Sequence, residues 1–234
     1  MKISIVTVCY NAESCIDETI LSVINQTYNN IEYVIVDGAS KDDTIKIINK
    51  YVKYVDIFIS EKDNGIYDAM NKALDVCTGE YVYFLNAGDK IYSRETIELI
   101  IPVLKKEYDI VYGGHVTKYP NEEIICKPLV FSKIEYGMIF NHQSVFVKSS
   151  IMKRNKFSID KLSADYEFFF NQYLNNASFK SEDQIISIFN PNGVSSMNKR
   201  LIYKEWMDIS LKGRFSLRKY IFLYLRWLVC ILRT

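Results

Sequence analysis

The chain has 234 residues, 24% of them charged and 49% hydrophobic, with a net charge of +1. That composition fits one large domain, or one domain with an appendage, burying a sizeable core. Five cysteines (9, 15, 77, 126, 230) are odd in number and lack C-x-x-C spacing, which excludes a readable disulfide framework or zinc site and points to a reducing compartment.

The first apolar run, Ile3 to Cys9, is too short for a secretory signal, so the body is expected in the cytoplasm. With Ile31–Val36, Val55–Ser60 and Tyr81–Leu85 it reads as a set of short strands buried on both faces. Helical stripes alternate with these runs: Ile16, Ile20, Val23 and Ile24; then Ile48, Tyr51, Val52 and Val55; then Ile66, Met70, Ala73, Leu74 and Cys77; then Ile97, Ile100, Ile101 and Leu104. Asp42 and Asp43 suit the start of the second helix. Strand–helix alternation through about residue 113 predicts right-handed βαβ units and a parallel sheet.

Each strand ends in a polar cluster: Tyr10-Asn11, Asp37-Gly38-Ala39-Ser40, Asp63-Asn64-Gly65 and Asn86-Ala87-Gly88-Asp89. An open parallel sheet binds ligands beyond the carboxyl ends of its strands. Carboxylates and amides gathered on that edge predict a site for a polar, phosphorylated ligand, and so an enzyme.

Residues 114–148 read as loops and strands, with Val145-Phe146-Val147 the clearest strand and His115 in a loop. A helix from Asp165 to Leu174 and a strand from Ile185 to Phe189 follow. From Lys199 onward nine Lys/Arg face only Glu205 and Asp208, a net of +7; residues 1–198 then carry 20 basic and 26 acidic residues, a net of −6. The expected organisation is a body of residues 1–198 (1–113 and 114–198 as its halves) and a basic amphipathic helical tail, 199–234. Tyr220–Leu225 and Trp227–Ile231, interrupted by Arg226, are each shorter than the ~20 residues that span a bilayer. Aromatic and aliphatic residues among Lys/Arg suit a helix lying on a membrane surface; packing on the body or on a second copy of the chain is the alternative. A nucleic-acid partner is not expected, because the basic residues are confined to this tail.

Taken in order, the polar clusters resemble family 2 glycosyltransferases. Ser4-Ile5-Val6-Thr7-Val8-Cys9-Tyr10-Asn11 looks like that family's opening strand, and Glu32 to Thr44 is similar to its second strand and turn. Gly65-Ile66-Tyr67-Asp68-Ala69-Met70-Asn71-Lys72 with Gly79-Glu80-Tyr81 resembles the helix leading to its metal-motif strand. The likeness is dense over residues 3–92 and thinner to 190. It implies the GT-A fold, a Rossmann-like α/β architecture with a mostly parallel sheet flanked by helices. It also implies transfer of a sugar, with inversion, from a nucleotide-sugar donor to an acceptor hydroxyl.

Carried over by position, the resemblance implies that Tyr10 and the backbone near Val8 face the nucleobase, with Asn11 beside them and Asp37 at base and ribose. Asn71 and Asp68, three apart on one helix face, are donor-side candidates. The family's Asp-x-Asp motif, which holds Mg²⁺ or Mn²⁺, is altered here. Asn86 and Gly88 replace its carboxylates, which leaves Asp89 as the expected metal ligand and Asn86 to offer a carbonyl oxygen. Gly38 replaces an acid that reads the base, so UDP is expected only as the commonest donor nucleotide. Asp165, in Ser163-Ala164-Asp165-Tyr166-Glu167, resembles the family's catalytic Asp at a helix start. His142, in Asn141-His142-Gln143-Ser144, resembles the acceptor-side segment, with a role at acceptor, diphosphate or metal. The implied acceptor is lipid-linked or a growing surface glycan such as lipopolysaccharide, reached from the inner face of the cell membrane. Two other readings remain. A sugar nucleotidyltransferase would need a glycine-rich basic loop where Asn11-Ala12-Glu13-Ser14 stands. A non-catalytic GT-A-like scaffold subunit would account for Asn86 and Gly88.

Overall fold

A computed structural model describes residues 1–191, 198–213 and 216–232; Arg214 and Arg233 of the basic tail lie outside them. The parallel half comprises β1 (Ile3–Cys9), α1 (Ile16–Ile24), β2 (Ile31–Asp37), α2 (Thr44–Asn49), β3 (Ile57–Ser60), α3 (Ile66–Val76) and β4 (Tyr81–Phe84). β5 (Lys90–Ile91), α4 (Thr96–Leu104), β6 (Ile110–Lys118), β7 (Glu123–Cys126), β8 (Val145–Lys148), α5 (Ser149–Arg154), α6 (Ala164–Leu174) and β9 (Phe179–Phe189) follow. The tail forms α7 (Lys199–Lys212) and α8 (Leu217–Leu232).

The strands form one nine-stranded sheet in the order β3-β2-β1-β4-β8-β6-β9-β5, with β7 paired to β6. β3, β2, β1 and β4 run parallel, so the ends of β1, β2 and β4 share one edge. The second half joins through β8, antiparallel to both β4 and β6, and β9 runs parallel to β6. This is the mixed α/β architecture with flanking helices that the motifs imply.

Alternation with period two sends the side chains of β1, buried throughout, and of β2, buried from Glu32 on, to two opposite faces. Ile3, Ile5, Tyr33 and Ile35 face the core under α1 and α4, whereas Val6, Val8, Val34 and Val36 face the core under α3 and α6. Each fully buried Ile or Val contributes roughly 1.5–3 kcal/mol.

Three expectations are corrected. β3 is not buried on both faces, because it is the outer strand and has only β2 as a neighbour. The second helix ends at Asn49; Lys50 and Tyr51 donate to the carbonyls three residues back, which tightens the chain into a 3₁₀ turn over Val52–Tyr54 and leaves Val52 exposed. His115 is not in a loop. It lies in β6 opposite Cys126, just after a register irregularity at Gly113-Gly114, and burial lowers its pKa.

The tail is docked on the body by one face. On α7, Ile209 and Trp206 pack on Tyr166 and Phe170 of α6. On α8, Lys219 and Leu223 are buried. The Lys219 ammonium donates to the Ser210 carbonyl at 2.9 Å and sits 3.5 Å from Glu135. Arg226 donates to the Tyr136 carbonyl at 3.0 Å and lies over the rings of Tyr203 and Trp206. The opposite face of α8 presents Leu217, Ile221, Phe222, Leu225 and Val229 to the outside. Among the described residues, no helix is long and apolar enough to cross a membrane.

Candidate active site

The loops after β1 and β2 are tied to each other before anything else binds. Asn11 takes a positive φ of 48°, a conformation its short amide tolerates, and its Oδ1 accepts the Lys41 amide at 2.8 Å. In return the Asn11 amide donates to the Ser40 hydroxyl. Ala12 donates to Thr44, Glu13 to Asp42, and Asp43 to Glu13. Tyr10, at the tip, is 60% exposed and free to offer its ring to a flat ligand. The backbone at Val8 is occupied in part: its carbonyl accepts the Ala87 amide, which holds the β1 and β4 exits together.

Asp37 faces inward and is fully buried. Its oxygens accept the Ser40 amide at 3.0 Å, the Ser60 hydroxyl at 2.7 Å and the Ser40 hydroxyl. The carboxylate thus ties β2, β3 and the β2–α2 turn to one another. A second, half-buried acid at this end comes from the β3–α3 loop. A Cβ on Gly38 would meet the Asp63 carboxylate at 2.5 Å and the Tyr10 ring at 3.3 Å. The missing side chain at 38 is therefore what lets Asp63 stand beside Tyr10. Asp63 lies in one of the four polar clusters, but nothing in one sequence signals that it comes across to Gly38.

Asp68 and Asn71 share a face of α3 and serve different partners. Asp68 accepts the Asn64 amide at 2.9 Å, one turn before it, and closes the helix start. Asn71 uses both ends of its amide on one residue: Nδ2 donates to the Phe157 carbonyl at 2.8 Å, and Oδ1 accepts the Phe157 amide at 2.9 Å. It pins the loop that leads to Asp165.

At the end of β4, Gly88 has a φ of 98°, a backbone state that disfavours any side chain, and its amide donates to the Thr19 hydroxyl. The Asp89 carboxylate accepts the Asn190 amide at 2.8 Å, which fastens the exit of β9, and burial pushes its pKa up to about 7. Asn86 Oδ1 is buried without a partner among the described residues. An orphaned buried carbonyl oxygen calls for a ligand.

The far wall is brought to this place by the β4–β8 pairing. Tyr83 lies opposite Phe146, so the chain running back to His142 flanks the chain running on to Asn86. The His142 ring packs against Phe84, Phe157 and Phe169. Its Nδ1 is 3.5 Å from Asp165 Oδ2, and its Nε2 is buried without a partner among the described residues. Asp165 occupies the first turn of α6, where Oδ1 accepts the Tyr166 amide at 2.8 Å. Ser163 makes no side-chain cap on that helix. Glu205 of α7 does so from a distance, accepting the Ser163 amide at 2.8 Å and the Leu162 amide at 3.3 Å. The Tyr67 hydroxyl donates to the Leu162 carbonyl at 3.1 Å; burial first, then the Asp165 carboxylate, hold it well above its usual pKa. Glu205 and Tyr67 are supports that the sequence does not disclose.

The side chains thus form two groups and an anchor. Tyr10, Asn11, Gly38 and Asp63 make one end, with Asp37 beneath; His142, Asp165 and Tyr67 make the other, on the strand pair that also leads to Asn86; Asp89 binds the exit of β9. A divalent cation prefers oxygen donors and bridges phosphates. The orphaned Asn86 oxygen fits such an ion, with Asp89 the carboxylate three residues on in the same loop. Among the described residues no three His, Cys, Asp or Glu cluster as a cage, so ligand phosphates would have to supply the other donors.

Residues 4–171 match the family model Glycosyl transferase family 2. A PGL/p-HBAD biosynthesis glycosyltransferase of Mycobacterium bovis is 24% identical over 232 residues, covering 96% of this chain and 90% of its own. The crystal structure of S. aureus TarS 1–349 in complex with UDP superposes with a TM-score of 0.72 at 21% identity, over 97% of this chain and 71% of that one. The mannosyltransferase PcManGT from Pyrobaculum calidifontis, in complex with GDP-Man and Mn²⁺, gives a TM-score of 0.72 at 16% identity, over 97% and 69%. At these identities the two structures are alike in fold.

Proposed function

Because the chain belongs to glycosyl transferase family 2, we propose that it transfers a sugar, with inversion, from a nucleotide donor to a hydroxyl of a lipid-linked or polysaccharide acceptor in surface-glycan synthesis. The observation that carries this reading is the pairing of Asp165 with His142, on the chain that runs beside the one leading to the unpartnered Asn86 oxygen. UDP is the preferred donor nucleotide, in keeping with the UDP complex of the similar fold. Tyr10 stacks on the base, Asp63 accepts from base or ribose, and Asn11 with the backbone at Val8 shapes that end. Asp37 acts from beneath by fixing the turn.

Asn86 and Asp89 would hold a Mg²⁺ or Mn²⁺ ion, whose charge would stabilise the departing diphosphate. Asp165 takes the proton of the acceptor hydroxyl as that oxygen bonds to the anomeric carbon; the bond from carbon to phosphate oxygen breaks, and the nucleoside diphosphate leaves. His142 holds the base's orientation through Nδ1. Asn71, Tyr67 and Glu205 fix the loop and helix that carry Asp165, and Asp68 closes the helix that carries Asn71. The apolar outer face of α8 rests on the inner face of the cell membrane, where such acceptors are anchored.

Asp165→Asn tests this directly. Turnover should fall by about 10²–10⁴-fold, while calorimetry with UDP and Mn²⁺ gives an unchanged dissociation constant. Unchanged turnover removes Asp165 from its role, and absence of heat with any nucleoside diphosphate removes the donor site.

A further inference from the structure

A cavity of about 780 Å³ lies between the segment 128–138 and α8, away from Asn86 and Asp165. Its walls combine apolar Leu129, Val130 and Phe222 with basic Lys133, Arg218 and Arg226, and no carboxylate lines it among the described residues. Leu129, Val130 and Phe222 are 57%, 66% and 51% exposed, too much apolar surface for a wall that only water covers. Phe222 also belongs to the outward stripe of α8, so groove and stripe form one continuous surface.

Charge distinguishes this groove from an ordinary protein interface. Lys219 is satisfied by Glu135 and Ser210, and Arg226 by the Tyr136 carbonyl and two rings. Lys133, 5.8 Å from the Tyr136 ring centre, and Arg218 form no ion pair among the described residues. Two unpaired cations beside an open apolar channel match an anion joined to a hydrocarbon chain.

We propose that this groove binds one anionic phospholipid of the bilayer. Its phosphate sits between Lys133 and Arg218, and the start of an acyl chain lies along Leu129, Val130 and Phe222. The proposal rests on the membrane association offered above and adds to it a defined lipid site. An apolar surface of a second copy or of a partner protein would leave these cations unpaired, whereas a lipid phosphate pairs them.

The full chain is sedimented with phosphatidylcholine vesicles, with and without phosphatidylglycerol. The variants are Lys133→Gln/Arg218→Gln, Leu129→Asn, and a control pair of equal charge outside the groove, Lys105→Gln/Lys106→Gln. Thermal melting confirms that each is folded. The wild type should favour the anionic vesicles; the groove pair should bind about 30-fold more weakly, Leu129→Asn should also bind more weakly, and the control pair should match the wild type. Equal losses for groove and control pairs would mean that charge alone attracts the protein and would overturn the groove, leaving membrane association intact. Binding to neither vesicle would overturn both, and a concentration-dependent dimer that Leu129→Asn abolishes would assign the surface to a second copy instead.

Discussion

Asn71→Ala separates a residue that touches the donor from one that positions the base. The amide makes two hydrogen bonds to the backbone of Phe157, at 2.8 and 2.9 Å. Each contributes about 1 kcal/mol net, and leaving both backbone groups unpaired in a half-buried place raises the cost of truncation to about 2–4 kcal/mol. For a chain of this size that lowers the melting temperature by about 5–15 °C. Phe157 lies eight positions before Asp165 and packs on Tyr67, Phe84, Phe168 and His142. Releasing it should displace the base, and a displacement of about 1 Å costs about 100-fold in turnover. The UDP dissociation constant should stay within about twofold. Thermal unfolding, calorimetry and a turnover assay on one preparation decide the matter. Weakened UDP binding with unchanged melting would refute the reasoning and make Asn71 a donor ligand.

Gly38→Ala should weaken UDP binding by about tenfold, since its Cβ would drive Asp63 from Tyr10; unaltered calorimetry would detach Asp63 from the donor site. At the opposite edge of the sheet, burial raises the pKa of Glu32, but bonds from Lys2, Ser4 and Thr78 outweigh it and bring it down to about 2. A depressed carboxyl stabilises the fold above its unfolded value of 4.5 and loses that contribution as pH falls through about 2. In urea unfolding the gap between wild type and Glu32→Gln should therefore narrow by about 3 kcal/mol from neutral to that acid range; a gap that does not change with pH would refute it.

The fold was legible where side chains obey a period. β1, β2, β4, α1, α3 and α4 follow apolar spacings in one continuous segment, so the parallel half could be read from the chain. β5 has two residues, too short for any period, β7 has no buried face to mark it, and β3 gives no sign of lying at an edge. The site was legible in part. Asn86, His142 and Asp165 stand out locally, and His142 lies 3.5 Å from Asp165. The buried turn of Asp37, the pairing of Asn71 with Phe157 and the hold of Asp89 on Asn190 are long-range bonds, and no local spacing encodes them. Gly38 is the instructive case: the sequence reads it as a lost acid, whereas its bareness admits an acid from another loop.

The turn that leads into the helix carrying Asp165 is held by Glu205, a residue contributed by the C-terminal segment, and Trp206 beside it bears on Arg226 of the last helix. Trimming the end of the chain should therefore disturb Asp165, the proposed proton acceptor, as well. The last helix and the proposed base share a strut, so a shift in how that helix sits should be felt in the rate of transfer.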